Sequence, residues 1–167
     1  MMEENVRHIE IRVLDDSNFL SPFSGVNDAV ISDELAGFVE NRVGFVRTNE
    51  SVKLSFRGSC IEETEKKSYT NAIRAYYKEE SNATKRELSR NRFIAFIMLA
   101  IGVLIIALSI FVNYTYESEI WSEVLDIVAW VLIWECVDIL LFKNRENKMN
   151  MIKFRALSLA EIEFIVD

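Results

Sequence analysis

Apolar positions follow three different rhythms along this chain. The first is alternation. Ile9, Ile11 and Val13 alternate with His8, Glu10 and Arg12, which predicts a half-buried strand over residues 6–14. Leu54 and Phe56 stand opposite Lys53, Ser55 and Arg57 and predict a second strand over 52–59. Near the other end, Ile162, Phe164 and Val166 alternate with Glu161, Glu163 and Ile165 and predict a third. Two strands make no stable domain alone, so both ends of the chain are expected to meet in one sheet.

The second rhythm is helical. Ser32 followed by Asp33, Glu34 and Leu35 reads as an N-cap with acids in the first turn. Leu35, Phe38, Val39 and Val43 are expected inward, with a stop near Gly44. Residues 64–92 form a polar helical stretch with Tyr69, Ile73, Tyr76 and Tyr77 at helical spacing. Ser81-Asn82 is its expected kink or break. A second polar helix near the C-terminus places Met149, Ile152 and Ala156 on one side.

The third rhythm is unbroken apolarity. From Phe93 to Val112 roughly 20 residues are apolar apart from Gly102 and Ser109, the length that spans a hydrocarbon core. A second stretch, Ile120 to Phe142, opens with Trp121, a residue suited to the membrane interface. The expected fold is an α+β membrane protein. Two transmembrane helices extend into the cytoplasm and join a small split α/β domain of about three strands. The expected parts are a strand-helix-strand segment (1–63), a polar helix (64–92), a first span (93–113), an external loop (114–119), a second span (120–142), and a helix with the last strand (143–167).

Composition sharpens this picture. Of 167 residues 50% are hydrophobic and 27% charged, yet no Lys or Arg occurs between Phe93 and Phe142. Lys85, Arg86, Arg90 and Arg92 precede the first span, and Lys143, Arg145, Lys148, Lys153 and Arg155 follow the second. The connecting loop has Glu117 and Glu119 and no basic residue. The positive-inside rule puts both termini in the cytoplasm and the connecting loop outside. The net charge of −7 argues against nonspecific nucleic-acid binding. Cys60 and Cys136 fall in different parts of the chain and read as reduced thiols. The acidic start, Met1-Met2-Glu3-Glu4, does not resemble a signal peptide.

The candidate chemistry lies in the second span. Asp126, Glu135 and Asp138 occur there with no basic residue among them. Carboxylates at membrane depth cost a few kcal/mol each and normally face protein or water. Glu135 and Asp138 share a face, whereas Asp126 lies on the other side and nearer the outer surface. They are candidate pore-lining groups, as carboxylate rings are in cation-selective channels. The structural alternative is that Asp138, about one turn from Lys143, pairs with Arg90 or Arg92, and that Asp126 is an interfacial residue in water. Trp130 and Trp134, four apart, are candidates for a constriction or for packing between helices. On the sheet, Arg12, Lys53 and Arg57 form a candidate platform for an anionic ligand. Interleaved Glu10 and Glu163 favour cross-strand ion pairs instead.

Enzyme chemistry is not expected. His8 is the only histidine, and the five glycines are scattered rather than gathered in a phosphate-binding loop. No cofactor or metal is implied. Two spans cannot enclose a pore, so a channel needs a homo-oligomer, four or more subunits, with the second span inside.

Trp134-Glu135-Cys136-Val137-Asp138, followed by Phe142 and Arg145, resembles a pattern in an uncharacterised bacterial two-span membrane protein family. The resemblance covers roughly a fifth of the chain. The architecture also resembles the membrane effector of the Hailong antiphage defence system. That resemblance implies an oligomeric ion channel held shut by a nucleotide oligomer, opening on infection, and membrane depolarisation. It rests on architecture and carries over no pore or ligand residue. The functional expectation is a homo-oligomeric ion channel gated through its cytoplasmic domain by an anionic, nucleotide-type ligand. The alternative is a noncatalytic membrane-anchored adaptor or sensor.

Overall fold

The computed structural model describes residues 5–25, 29–48, 50–116 and 119–166. The acidic start (Met1–Glu4) and Glu117 lie outside the described residues. The elements are β1 (Asn5–Arg12), α1 (Asp33–Val43), β2 (Glu50–Arg57), α2 (Glu63–Tyr116), α3 (Glu119–Asp138), a π-helical turn (Ile139–Lys143), α4 (Asn144–Ser158) and β3 (Glu161–Ile165). The chain divides into two compact units. One comprises Met1–Thr84 with Met149–Asp167, the other Lys85–Lys148.

The first unit is a mixed α+β layer. Its three strands are all parallel, in the order β1-β2-β3. Ile9 pairs in register with Leu54 and Ile11 with Phe56; on the other side Leu54 meets Ile162 and Phe56 meets Phe164. The alternation that predicted three strands is therefore one continuous apolar face. Strands added in sequence order by crossovers of one hand collect their helices on one side. The core agrees: Ile9, Ile11, Val52, Leu54 and Phe56 share a buried cluster with Val39 and Val43 of α1, Tyr69, Ile73 and Tyr77 of α2, and Phe154 and Leu157 of α4.

Local chemistry fixes these elements. The Ser32 hydroxyl accepts from the Leu35 N–H at 3.2 Å and caps α1, as its sequence predicts. Gly44, at φ 59°, ends the helix in a conformation other residues avoid. Arg7 joins the start of β1 to the end of α1. Its guanidinium donates to the Val43 and Phe45 carbonyls and pairs with Glu50 at 2.8 Å. A cation at the last turn also favours the helix dipole.

Two expectations about helices need correction. Phe38 was expected inward but is 51% exposed, and Ala36 is buried in its stead. Tyr77 of α2 explains the exchange: it is fully buried, and its hydroxyl donates to the Ala36 carbonyl at 3.3 Å, which needs a small residue. Ser81-Asn82 neither kinks nor breaks α2, which stays α-helical through both. Without Pro or Gly their propensity cost is only a few tenths of a kcal/mol. In α4 the buried residues are Phe154 and Leu157, while Met149 is exposed. Lys153 holds its ammonium over the Phe154 ring, 5.0 Å from the centroid, and pairs with Glu40 at 3.5 Å.

The second unit is an antiparallel helical hairpin. One helix, α2, contains a stretch long and apolar enough to cross a membrane, and only 17% of that stretch is buried. Phe93, Phe96, Leu104, Ile110 and Phe111 are each more than half exposed. The second expected span is less apolar. Every stretch of 18 residues within α3 holds at least three carboxylates, which keeps it below the same standard. Residues 114–116, assigned to the loop by sequence, continue α2.

Candidate functional site

The hairpin is built on a seven-residue repeat of small side chains. On α2 the covered positions are Leu88, Asn91, Ala95, Met98, Gly102, Ile105, Ser109 and Val112, spaced alternately three and four apart. On α3 and the first residue after it, Ser122, Leu125, Ala129, Leu132, Cys136 and Ile139 follow the same spacing, with Ile133, Glu135 and Asp138 partly covered beside them. That spacing is a heptad stripe. From Ala95 onward every second position is small: Ala95, Gly102 and Ser109 on one helix, Ser122, Ala129 and Cys136 on the other.

These six residues meet in three antiparallel layers. The Ser109 hydroxyl donates to the Ser122 carbonyl at 3.2 Å. A Cβ on Gly102 would stand 3.6 Å from the Ala129 carbonyl oxygen and 3.1 Å from Ile133 Cγ1. Ala95 and Cys136 are buried in one cluster with Ile139 and Met98. Small residues let two backbones approach closely, which is how helices gain packing energy where no hydrophobic effect drives them together. The sequence reading missed this ladder. Its signal was present, since small residues recur at seven-residue intervals in both apolar stretches.

The ladder decides where the α3 carboxylates stand. Counting from Ala129 at 100° per residue, Asp126 lies about 60° away, Glu135 about 120° and Asp138 about 180°. Asp126 is exposed, and Glu135 and Asp138 are partly so. None points into the α2–α3 seam. Glu135 approaches Lys143 at 3.9 Å, with both side chains about half exposed. The alternative pairing of Asp138 with Arg90 or Arg92 is not present among the described residues. Arg92 donates to the Leu88 carbonyl. Asp126 and Asp138 make no ion pair among the described residues. Trp130 and Trp134 are 66% and 63% exposed, so neither packs within the hairpin. Both are available to a neighbour.

On the open face of the sheet, Lys53 pairs with Glu163 at 3.1 Å and Glu161 at 3.2 Å, and Arg57 pairs with Glu10 at 3.0 Å. Hydrogen bonds to Glu163 and then Glu161 push the Lys53 ammonium above its ordinary pKa. Lys53 and Arg57 thus take part in the cross-strand ion pairs that the interleaved acids favoured. Ser55, between Glu10 and Glu163 in register, is fully buried on this face. Arg12 stands opposite Arg57 at the carboxyl end of β1 and lines a cavity of about 390 Å³. Phe19, Leu35 and Phe38 supply apolar walls, and Asp15, Asn18 and Glu34 supply polar ones. The Ser17 hydroxyl and N–H engage Asp15 and hold its carboxyl below the usual range. The three cationic candidates therefore do not converge on one empty platform.

Among the described residues no cluster of His, Cys, Asp or Glu is arranged to hold a metal ion. Both cysteines are free. No family model, curated protein or solved structure matches this chain.

Proposed function

We propose that this protein is a homo-oligomeric ion channel of the bacterial inner membrane, gated through its α+β domain. The observation that carries the reading is the unequal surface of the two hairpin helices. Beyond its seam, α2 exposes apolar side chains that suit lipid. Beyond its own seam, α3 carries Asp126, Glu135 and Asp138 at about 60°, 120° and 180° from Ala129. Carboxylates spread that widely leave little of α3 fit for hydrocarbon.

The arrangement that satisfies both helices is a ring of hairpins with α2 outside and α3 inside. Glu135 and Asp138 then face a water-filled axis and attract cations. Trp130 and Trp134 pack against the next subunit or narrow the path. The resemblance to the defence effector extends the proposal to a channel whose opening depolarises the membrane. The ion-paired state of Lys53 and Arg57 favours the cavity beside Arg12 over the open sheet face as the place for a gating ligand.

The test is ion flux through liposomes that contain the purified protein, with subunit number measured on the same sample. Flux from a defined oligomer supports the proposal. A monomer without flux removes it and leaves the membrane-anchored adaptor. Replacing residues 93–142 with an inert two-span anchor separates the same two readings in cells, because an adaptor keeps its function and a channel loses it.

A further inference from the structure

A π turn interrupts the helix that carries the carboxylates. Ile139–Lys143 joins α3 to α4, and the Asn144 N–H donates to the Ile139 carbonyl five residues back. Such a turn holds one residue more than the α turn it replaces and often marks a functional site. It therefore shifts the phase of α4 relative to α3 by about 100°.

The shift is visible in the covered stripe. Cys136 and Ile139 are buried, and a regular helix would next turn Phe142 or Lys143 and then Glu146 inward. All three are exposed. Asn144 and Asn147 are half-buried in their place, one residue later. Traced back without the π turn, the Asn144 stripe arrives at Val137, Trp130 and Glu123. Those residues would then meet Ala95, Gly102 and Ser109. Trp130 does not fit there, since Ile133 already stands 3.1 Å from where a Cβ on Gly102 would be.

Two observations bear on the balance between the forms. Glu135 and Lys143 are eight residues apart yet approach to 3.9 Å. On a regular α-helix they would diverge by about 80°, whereas the extra residue brings them within about 20°. Against this, the Asn144 side-chain oxygen is buried without a hydrogen-bond partner, a cost that favours leaving the π form.

We propose that the Ile139–Lys143 turn is a two-state phase shifter. Its π form, latched by Glu135 and Lys143, holds the small-residue seam closed. Relaxation to α geometry turns α3 by one residue position and parts it from α2 at Gly102. This supplies a movement for the proposed channel and rests on that reading only for its effect on ion flow.

The test needs no flux. In the purified full chain in lipid, Ala95→Cys is placed opposite the native Cys136, and the rate at which an added thiol oxidant, copper-phenanthroline with dissolved oxygen as the electron acceptor, joins the two thiols reports the closed seam. Glu135→Gln is expected to slow it by up to about fivefold, the range for an exposed ion pair. Deleting Leu141 converts the π turn to an α turn without changing phase. In that background the rate stays at the parent level, with or without Glu135→Gln. Equal rates for parent and Glu135→Gln in the full-length chain overturn the latch. A slower rate on deleting Leu141 alone, or an equal Glu135→Gln effect in both backgrounds, overturns the phase shifter.

Discussion

Across the helical hairpin the Ser109 hydroxyl donates to the Ser122 carbonyl at 3.2 Å. This bond is the first of three layers in which a small residue of α2 meets a small residue of α3. Its neighbours are Gly102 with Ala129 and Ala95 with Cys136. The seam fixes the rotation of α3, and with it the direction of every carboxylate on that helix.

Gly102 should be the least replaceable residue of the seam. Gly102→Leu would drive a side chain into Ile133 and the Ala129 backbone. The expected loss is about 1–3 kcal/mol, as for overpacking in a core. Thermal unfolding in detergent checks it. Gly102→Ala should be far milder, because Ile133 has only a few tenths of an ångström to yield.

Gly58 makes a comparable prediction for the sheet. Val13 N–H donates to the Arg57 carbonyl at 2.8 Å, and Gly58 N–H to the Ile165 carbonyl at 3.1 Å, so the ends of all three strands are drawn together. A Cβ at position 58 would collide with the Val13 carbonyl. Gly58→Ala should destabilise the domain by about 1–3 kcal/mol, measured as a lower midpoint of unfolding.

The strands were legible because their inward residues are large and alternate with charge. Leu54 and Phe56 announce a buried face that Lys53 and Arg57 cannot share. The seam was not legible, because Ala95, Gly102 and Ser109 carry little hydropathy and vanish among Phe, Leu and Ile. What matters there is small volume at a seven-residue interval, a signal that apolar content hides. The inward face of α4 was not assigned from sequence, because Met149, Ile152 and Ala156 share helical spacing as well as any set. Only the packing of Phe154 beside Tyr77 selects the right one, with their rings stacked at 6.2 Å. The placement of Asp126 away from Glu135 followed from nine-residue spacing alone.

Alkali should unfold the α+β domain before other parts of the chain. Burial raises the pKa of Tyr77 far above its ordinary 10.0, and burial with the Asp16 and Glu65 charges does the same for Tyr69. Both tyrosines are then protonated in the fold and ionise in the unfolded chain above pH 10.0. The unfolded state binds fewer protons there, so stability present below pH 10.0 is lost as the pH rises above it. Unfolding followed by tyrosinate absorbance should show a cooperative step above that pH. Tyr69→Phe should weaken the dependence.

Topology offers a direct check on the membrane reading. Tyr114, near the end of α2, is 89% exposed. In a chain with Cys60 and Cys136 replaced by alanine, Tyr114→Cys should react with a membrane-impermeant thiol reagent in intact cells. A cysteine at Lys78 should react only after the cells are opened. Equal reaction at both sites in intact cells would contradict a hairpin with both termini inside.

The most direct test of the central claim is the reversal potential of currents through the reconstituted protein under a salt gradient. If Glu135 and Asp138 line the conducting path, the parent channel prefers cations. Glu135→Gln with Asp138→Asn should then move the reversal potential toward the value for no preference. Currents with unchanged reversal potential and conductance in the double variant would place both carboxylates outside the path and contradict the account.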